Sequence, residues 1–519
     1  MGTRAAVAGG WVRYATPRGR WVLGVAVLGS AIAFLEATVT NVALPTIARD
    51  LGTGVSGLQW VLNGYLLTLA ALILLGGSLG DRYGRRLIFI VGVVWFTLAS
   101  AACAAAPNVE VLIAARVVQG IGGALLTPAS LAIIESTFHP DDRGRAIGAW
   151  SALTGIGAAA GPLLGGYLID GVSWRAIFLI NLPLGALVVL AALRRIPETR
   201  DPTVHGRVDV AGSLLAALGL GGLTFALIQG SAGLAPAAVA AAAAAGALAL
   251  LAFVAVEQRA ASPMLPLSIF SSRQFTAANV LTFVVYGALG GVFFLLVAVL
   301  QTSLGYTPLA AGAASLPITA LMLALSSRAG GWAQRIGPRK PLTLGPLLIA
   351  AGMLMMSRIG PGDTYLGTIL PAVIVFGLGL SATVAPITAT ALAAADARHS
   401  GVASGVNNAV SRTAQLAAVA ILPVVAGISG SAFQRPIALA DGFQIAMYVT
   451  AATAIAGAAI AWTMISDDVL ARALVPEGEP EQHCTHCAVA GTPLRERPEV
   501  APPAAPAPAE PEPASASGR

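Results

Sequence analysis

Residues 77–86 read GSLGDRYGRR, and residues 330–340 read GGWAQRIGPRK. Gly77, Arg82, Gly84 and the pair Arg85-Arg86 recur as Gly330, Arg335, Gly337 and the pair Arg339-Lys340. Gln334 stands where the first copy has Asp81. Each copy lies between two long apolar runs, so a single turn, met twice, points to a chain built from two related halves. The competing reading is that any short cytoplasmic loop collects Gly and Arg.

Composition decides the solvent. Of 519 residues, 56% are hydrophobic and 10% charged, with mean hydropathy +0.79. A soluble domain carries about 25% charged residues, so this chain is built for lipid. The net charge of +6 does not indicate nucleic acid, because the basic residues stand singly or in pairs and form no basic face. Arg18 and Arg20 precede an apolar run with a nominal Ala31-Ile32-Ala33 cleavage match. The run continues past that point for a full membrane width, so it reads as a retained helix rather than a signal peptide.

About 20 apolar residues span a bilayer as helix. Runs of that length fall at 21–44, 58–80, 87–106, 109–134, 146–169, 174–193, 209–230, 236–256, 275–301, 306–327, 341–359, 365–390, 402–427 and 442–465. With the N-terminus inside and one crossing per run, 24 of the 30 basic residues fall on the cytoplasmic side. Only Arg49, Arg175, Arg358 and Arg435 fall outside or at the outer edge of a span, and Arg116 and Arg412 fall within spans. Removing one crossing would invert everything after it and destroy this asymmetry. The expectation is an all-α membrane protein with fourteen spans and both termini cytoplasmic.

The repeated turn follows the second helix of each half if the halves are residues 21–193 and 275–465. Residues 194–274 then form a linker with two additional spans joined by a tight hairpin, and residues 1–20 are a cytoplasmic N-terminus. Residues 466–519 read as a cytoplasmic tail, disordered from about Pro476 because Pro, Ala and Glu cannot supply a core. His483, Cys484, His486 and Cys487 within it are metal-like residue types, but no second ligand cluster stands at zinc-finger spacing, and no metal is expected. Duplicated halves are a transporter signature, with the substrate site at their interface. No phosphate cradle G-x-x-x-x-G-K-[ST] occurs, so nucleotide is not the energy source. The five histidines lie outside the spans, and no catalytic cluster is visible.

Glu36 lies in AFLEATVTNVALP, residues 33–45. A carboxylate near mid-membrane costs roughly 2.5–3.5 kcal/mol on insertion scales. It falls roughly 12 Å below the outer end of its helix, and Arg116 roughly 10 Å below that of the fourth, at 1.5 Å per residue. In low dielectric a carboxylate near arginine stays ionised, and away from it takes up a proton. Arginine keeps its own proton, so Glu36 is the candidate carrier. A static ion pair is the alternative. Gln119, one turn after Arg116, is a hydrogen-bond partner or a cavity-lining group. Asn41 and Arg412 are further cavity candidates; Arg412 either shapes the cavity for a substrate or neutralises an acid. In the fifth helix Gly157, Gly161 and Gly165 share one face and allow close helix approach. Pro162 removes a backbone donor, and Gly166 extends the pattern.

Together these stretches resemble the major facilitator superfamily, in particular its fourteen-helix drug/proton antiporter branch, over about residues 20–465. Gly77 to Arg86 is similar to the family's loop motif, Arg116 to Gly122 to its fourth-helix motif, and Gly157 to Gly166 to its antiporter motif. Leu35 to Pro45 and Ser173 to Pro183 resemble the first- and sixth-helix segments of the branch. The resemblance implies two six-helix bundles plus two additional helices, alternating access, and proton-driven export of amphiphilic drugs or antibiotics across the cell membrane. It implies no cofactor beyond the proton gradient, a monomer, and a conformational switch at Gly77, Asp81, Arg82, Gly84 and Arg85. The branch usually has Asp where Glu36 stands. A transporter of one nutrient or metabolite on the same fold is the alternative.

Overall fold

The computed structural model describes residues 11–200, 208–260, 263–395 and 400–472. The expectations for the first ten residues, for Arg207 and Arg398, and for the tail with its His483–Cys487 cluster concern residues outside these ranges. Among the described residues the secondary structure is helical, apart from one bridge between Val12 and Phe138.

The first six long helices are α1 (Pro17–Asp50), α2 (Val55–Tyr83), α3 (Arg85–Ala105), α4 (Val109–Thr137), α5 (Pro140–Gly171) and α6 (Ala176–Arg195). A hairpin follows, α7 (Val210–Ser231) and α8 (Pro236–Arg259). The last six are α9 (Arg273–Thr302), α10 (Pro308–Ile336), α11 (Arg339–Met356), α12 (Tyr365–Ala393), α13 (Ser400–Val425) and α14 (Pro436–Met464). All but α11 are long and apolar enough to cross a membrane. The eighteen residues of α11 begin with Arg339 and Lys340, which lower its mean hydropathy.

Helix starts follow local chemistry. Thr16, Asn108, Asp209, Ser272 and Thr307 each accept a free backbone N–H of the first turn of α1, α4, α7, α9 and α10, which satisfies a donor with no intrahelical partner. The helices overrun the apolar runs at several ends; α1 reaches 34 residues, roughly 50 Å at 1.5 Å per residue. Two helices are broken, α6 at Ile180 and α10 at Ser315.

The repeated turn is where duplication becomes visible. Gly84 joins α2 to α3 with φ 122°, and Gly337 precedes α11 with φ 84°. Both conformations disfavour a side chain. Over each glycine sits a carboxylate from beyond the last helix of the same half. Glu198 accepts the N–H groups of Arg86 and Leu87, and Asp467 accepts that of Arg339. Each acid replaces the missing side-chain cap at a helix N-terminus.

The side-chain hydrogen bonds described between the halves lie at the end of the molecule that carries few arginines. Gln59 of α2 donates to the carbonyls of Val419 and Ala420 of α13 at 2.8 and 3.2 Å. Gln301 of α9 donates to Val42 O of α1 at 2.9 Å, and Asp170 of α5 accepts Leu309 N of α10 at 3.0 Å. A cleft of about 830 Å³ opens at this end, lined by Arg49, Asp170, Gln301 and Tyr306 among others. The α7–α8 hairpin closes on itself where Gly222 meets Gly246 and packs on α2 through Phe225 against Trp60. The rest of α8 is exposed or half-buried apart from Glu257, as suits a helix that faces lipid along much of its length.

Candidate functional site: a sealed ion pair in the first half

Glu36 and Arg116 form an ion pair, Nη1 to Oε1 2.9 Å, with side chains 0% and 1% exposed. Helices α1 and α4 place them opposite each other, as their matching depths imply. Most of the remaining polar atoms of the pair are engaged. Arg116 Nε donates to Val61 O at 3.0 Å, and Nη1 also donates to Gln119 Oε1 at 2.6 Å. Gln119 Nε2 donates to Ser100 Oγ at 2.7 Å. Asn181 Nδ2 donates to Glu36 Oε2 at 2.7 Å and to Ser100 Oγ at 3.2 Å. Thr40 donates to Glu36 Oε1 at 3.3 Å. The guanidinium lies 4.5 Å from the Tyr65 ring centroid and 5.9 Å from that of Phe178, a favourable face for a desolvated cation.

Desolvating two charges costs several kcal/mol per ion and is repaid only when geometry is good and the remaining donors and acceptors are met. Five helices supply those partners here. Of the sequence candidates, Glu36, Arg116 and Gln119 are brought together, with Gln119 hydrogen-bonded to Arg116. Asn41 is not part of it; its amide donates to Ala37 O of its own helix at 3.0 Å. Asn181, Ser100, Thr40 and Tyr65 were not singled out from sequence. Asn181 is one polar residue in an apolar run, the same signal that marked Glu36.

Asp81 pairs with Arg85 one turn away, Oδ1 to Nη2 2.7 Å, a contact inside the first half. Gly77 packs beside Pro128, and Arg82 lies over Tyr83. The glycine face of α5 meets α1: Gly157 lies against Ala31, Gly161 against Thr38 and Gly165 against Val39. Gly166 instead meets the backbone of Pro308 and Leu309 of α10, and the Pro162 carbonyl meets Gly312. Two neighbouring faces of α5 therefore serve one contact each, one within its half and one across to the other. Arg412 of α13 stands apart, half-buried, with its guanidinium 5.3 Å from the Phe34 ring centroid.

The family model described as Major Facilitator Superfamily matches residues 26–419. The chain belongs to the major facilitator superfamily. Its relatives within that superfamily include the Multidrug resistance protein Stp of Mycobacterium tuberculosis, 36% identical over 74% of this chain and 71% of that protein. The Puromycin resistance protein pur8 of Streptomyces alboniger is 35% identical over 86% and 92% of the two chains. The Probable actinorhodin transporter of Streptomyces coelicolor is 35% identical over 78% and 72%. Among solved folds, a bacterial homologue of the lysosomal transporter Spinster, inward-facing and unoccupied, aligns at TM-score 0.61 and 17% identity over 88% of this chain and 99% of that one. The superfamily fold thus accounts for the two related sets of six helices, and α7 and α8 are additional to them.

Proposed function

We propose that this chain is a proton-coupled exporter of drugs, antibiotics or other amphiphilic small molecules, working by alternating access. It would lie in the cell membrane as a monomer, with its arginine-rich end and both termini in the cytoplasm. It needs no cofactor and has no catalytic residue; a proton gradient is its energy source. The domain limits are those set out from the sequence, 21–193 and 275–465 for the bundles and 194–274 for the intervening segment. Relatives named for multidrug resistance, puromycin resistance and drug efflux support the substrate class.

The carrying observation is the fully buried Glu36–Arg116 pair, with Asn181 and Thr40 donating to Glu36 and Gln119 accepting from Arg116. A proton placed on Glu36 removes the charge that holds Arg116. The ring of α1, α3, α4 and α6 around the pair then loses its tie, and a substrate-loaded rearrangement becomes accessible. Asp81 and Arg85 act at the cytoplasmic turn as the conformational switch, and the α5 glycine face lets α1 and α10 slide past it.

The test is Glu36→Gln in reconstituted vesicles. The amide keeps size and hydrogen bonding but cannot titrate in this range. Uphill export driven by a pH gradient should vanish while substrate binding remains, and Glu36→Asp should retain coupling. A Gln variant that pumps uphill at the wild-type rate rejects Glu36 as the carrier. A variant that merely expresses poorly, and pumps normally per mole of folded protein, favours a static ion pair.

A further inference from the structure

Arg412 raises a question that Glu36 and Arg116 do not answer. Its Nε is buried without a hydrogen-bond partner. Among the described residues no carboxylate lies within ion-pair distance of it, and its guanidinium lies over the ring of Phe34. Glu36 is already committed to Arg116. The alternative raised by the sequence, that Arg412 neutralises an acid, therefore finds no acid among the described residues.

The surroundings describe a receptor for charge. Arg412 projects from α13 of the second half onto Phe34 of α1 in the first, so it lies on the seam between halves. It is close enough to Tyr65 of α2 and Tyr286 of α9 to act electrostatically on both hydroxyls. Phe34 covers one face of the guanidinium and leaves its edge, where the N–H donors point, unused. Gln415, one turn further along the same half-buried face, makes no hydrogen bond among the described residues. Asn408, one turn earlier, spends its amide on Ser404 O at 3.1 Å. An uncompensated cation within a membrane span is costly, and a planar fork of donors fits a carboxylate, sulfonate or phosphate.

We propose that Arg412 is the anion-binding group of the substrate site, and that the exporter selects amphiphiles with one negatively charged group on an apolar body. The inference rests on the transporter reading and narrows it: the anionic group meets the Arg412 edge, Gln415 donates beside it, and the apolar body lies along Phe34. Carrying an anion outward also moves charge down the usual membrane potential, worth about 2.3 kcal/mol per charge per 100 mV.

The test compares three probes on the purified full-length protein in lipid nanodiscs, by ligand-induced thermal stabilisation. They are 8-anilinonaphthalene-1-sulfonate, the uncharged N-phenyl-1-naphthylamine with the same rings, and the cation ethidium. The sulfonate should bind about 10- to 100-fold more tightly than its neutral counterpart, as a charge-assisted hydrogen bond allows. Arg412→Gln should erase that ratio, and Arg412→Lys should keep part of it. Equal affinities, a preference for ethidium, or a ratio that survives in Arg412→Gln overturns the proposal. The wild-type series decides it even if the variants do not fold. Separately, pH-driven flux of the bound probe in proteoliposomes tests proton drive: loss of flux with the sulfonate preference intact rejects the coupling and leaves the anion site standing.

Discussion

Asn181 holds Glu36 Oε2 at 2.7 Å, while its own Oδ1 lies buried with no donor. Among the described residues no other side chain is seen to donate a hydrogen bond to that carboxylate oxygen. Asn181→Ala should therefore leave a buried acceptor of a charged group unmet, at a cost of about 1–3 kcal/mol. The expected outcome is a lower unfolding temperature and a slower pH-driven flux, with Asn181→Asp worse because it brings a second negative charge to the same point. A wild-type flux in folded Asn181→Ala would show that Glu36 does not need this donor. At this scale the sequence was half legible. Charges inside apolar runs are costly enough to be noticed singly, so Glu36, Arg116 and Arg412 stood out. Neutral polar residues such as Asn181, Ser100 and Thr40 are tolerated in many places in membrane helices. Only their convergence on one carboxylate separates them from the rest.

The turn residues define the element scale. Gly84 and Gly337 were legible as a repeat, and their positive φ explains why both are glycine. The carboxylates above them were not, because Glu198 and Asp467 lie far along the chain from the turns they cap. Their pairing predicts matched behaviour. Glu198→Ala and Asp467→Ala should each destabilise the protein by about 0.5–2 kcal/mol, the usual worth of a helix N-cap. Thermal unfolding of the two variants checks it; an effect at one site alone would break the equivalence of the two turns. The α5 glycines show the same division. Their four-residue spacing announced close packing, but not that Gly166 faces α10 of the other half while Gly157, Gly161 and Gly165 face α1. Helical periodicity fixes which residues share a face, and the partner of that face is set by how the bundles assemble.

For the whole molecule, the ties between α2 and α13 and between α1 and α9 matter most. Gln59 meets the Val419 carbonyl, and Gln301 meets that of Val42. If the halves must part at this end for export, a cross-link there should arrest the cycle. With the native cysteines replaced, Gln59→Cys and Val419→Cys joined by a reducible bifunctional reagent should lose flux, and reduction should restore it. Flux that persists in the cross-linked protein would mean that this end does not open during transport.

Sequence alone determined the solvent, the helical class, the approximate spans and the duplicated turn. These follow from local physics: backbone groups in lipid must bond within a helix, apolar length must match the bilayer, and arginines partition to one side. Tertiary structure alone decided which buried polar groups meet. It enclosed Glu36 and Arg116 within a shared set of donors and acceptors, turned the Asn41 amide back onto its own helix, and left Arg412 without a counter-charge among the described residues. The reason is distance along the chain: Glu36 and Asn181 are 145 residues apart, and no local preference carries information over that separation. Their meeting is fixed only when α1, α3, α4 and α6 pack.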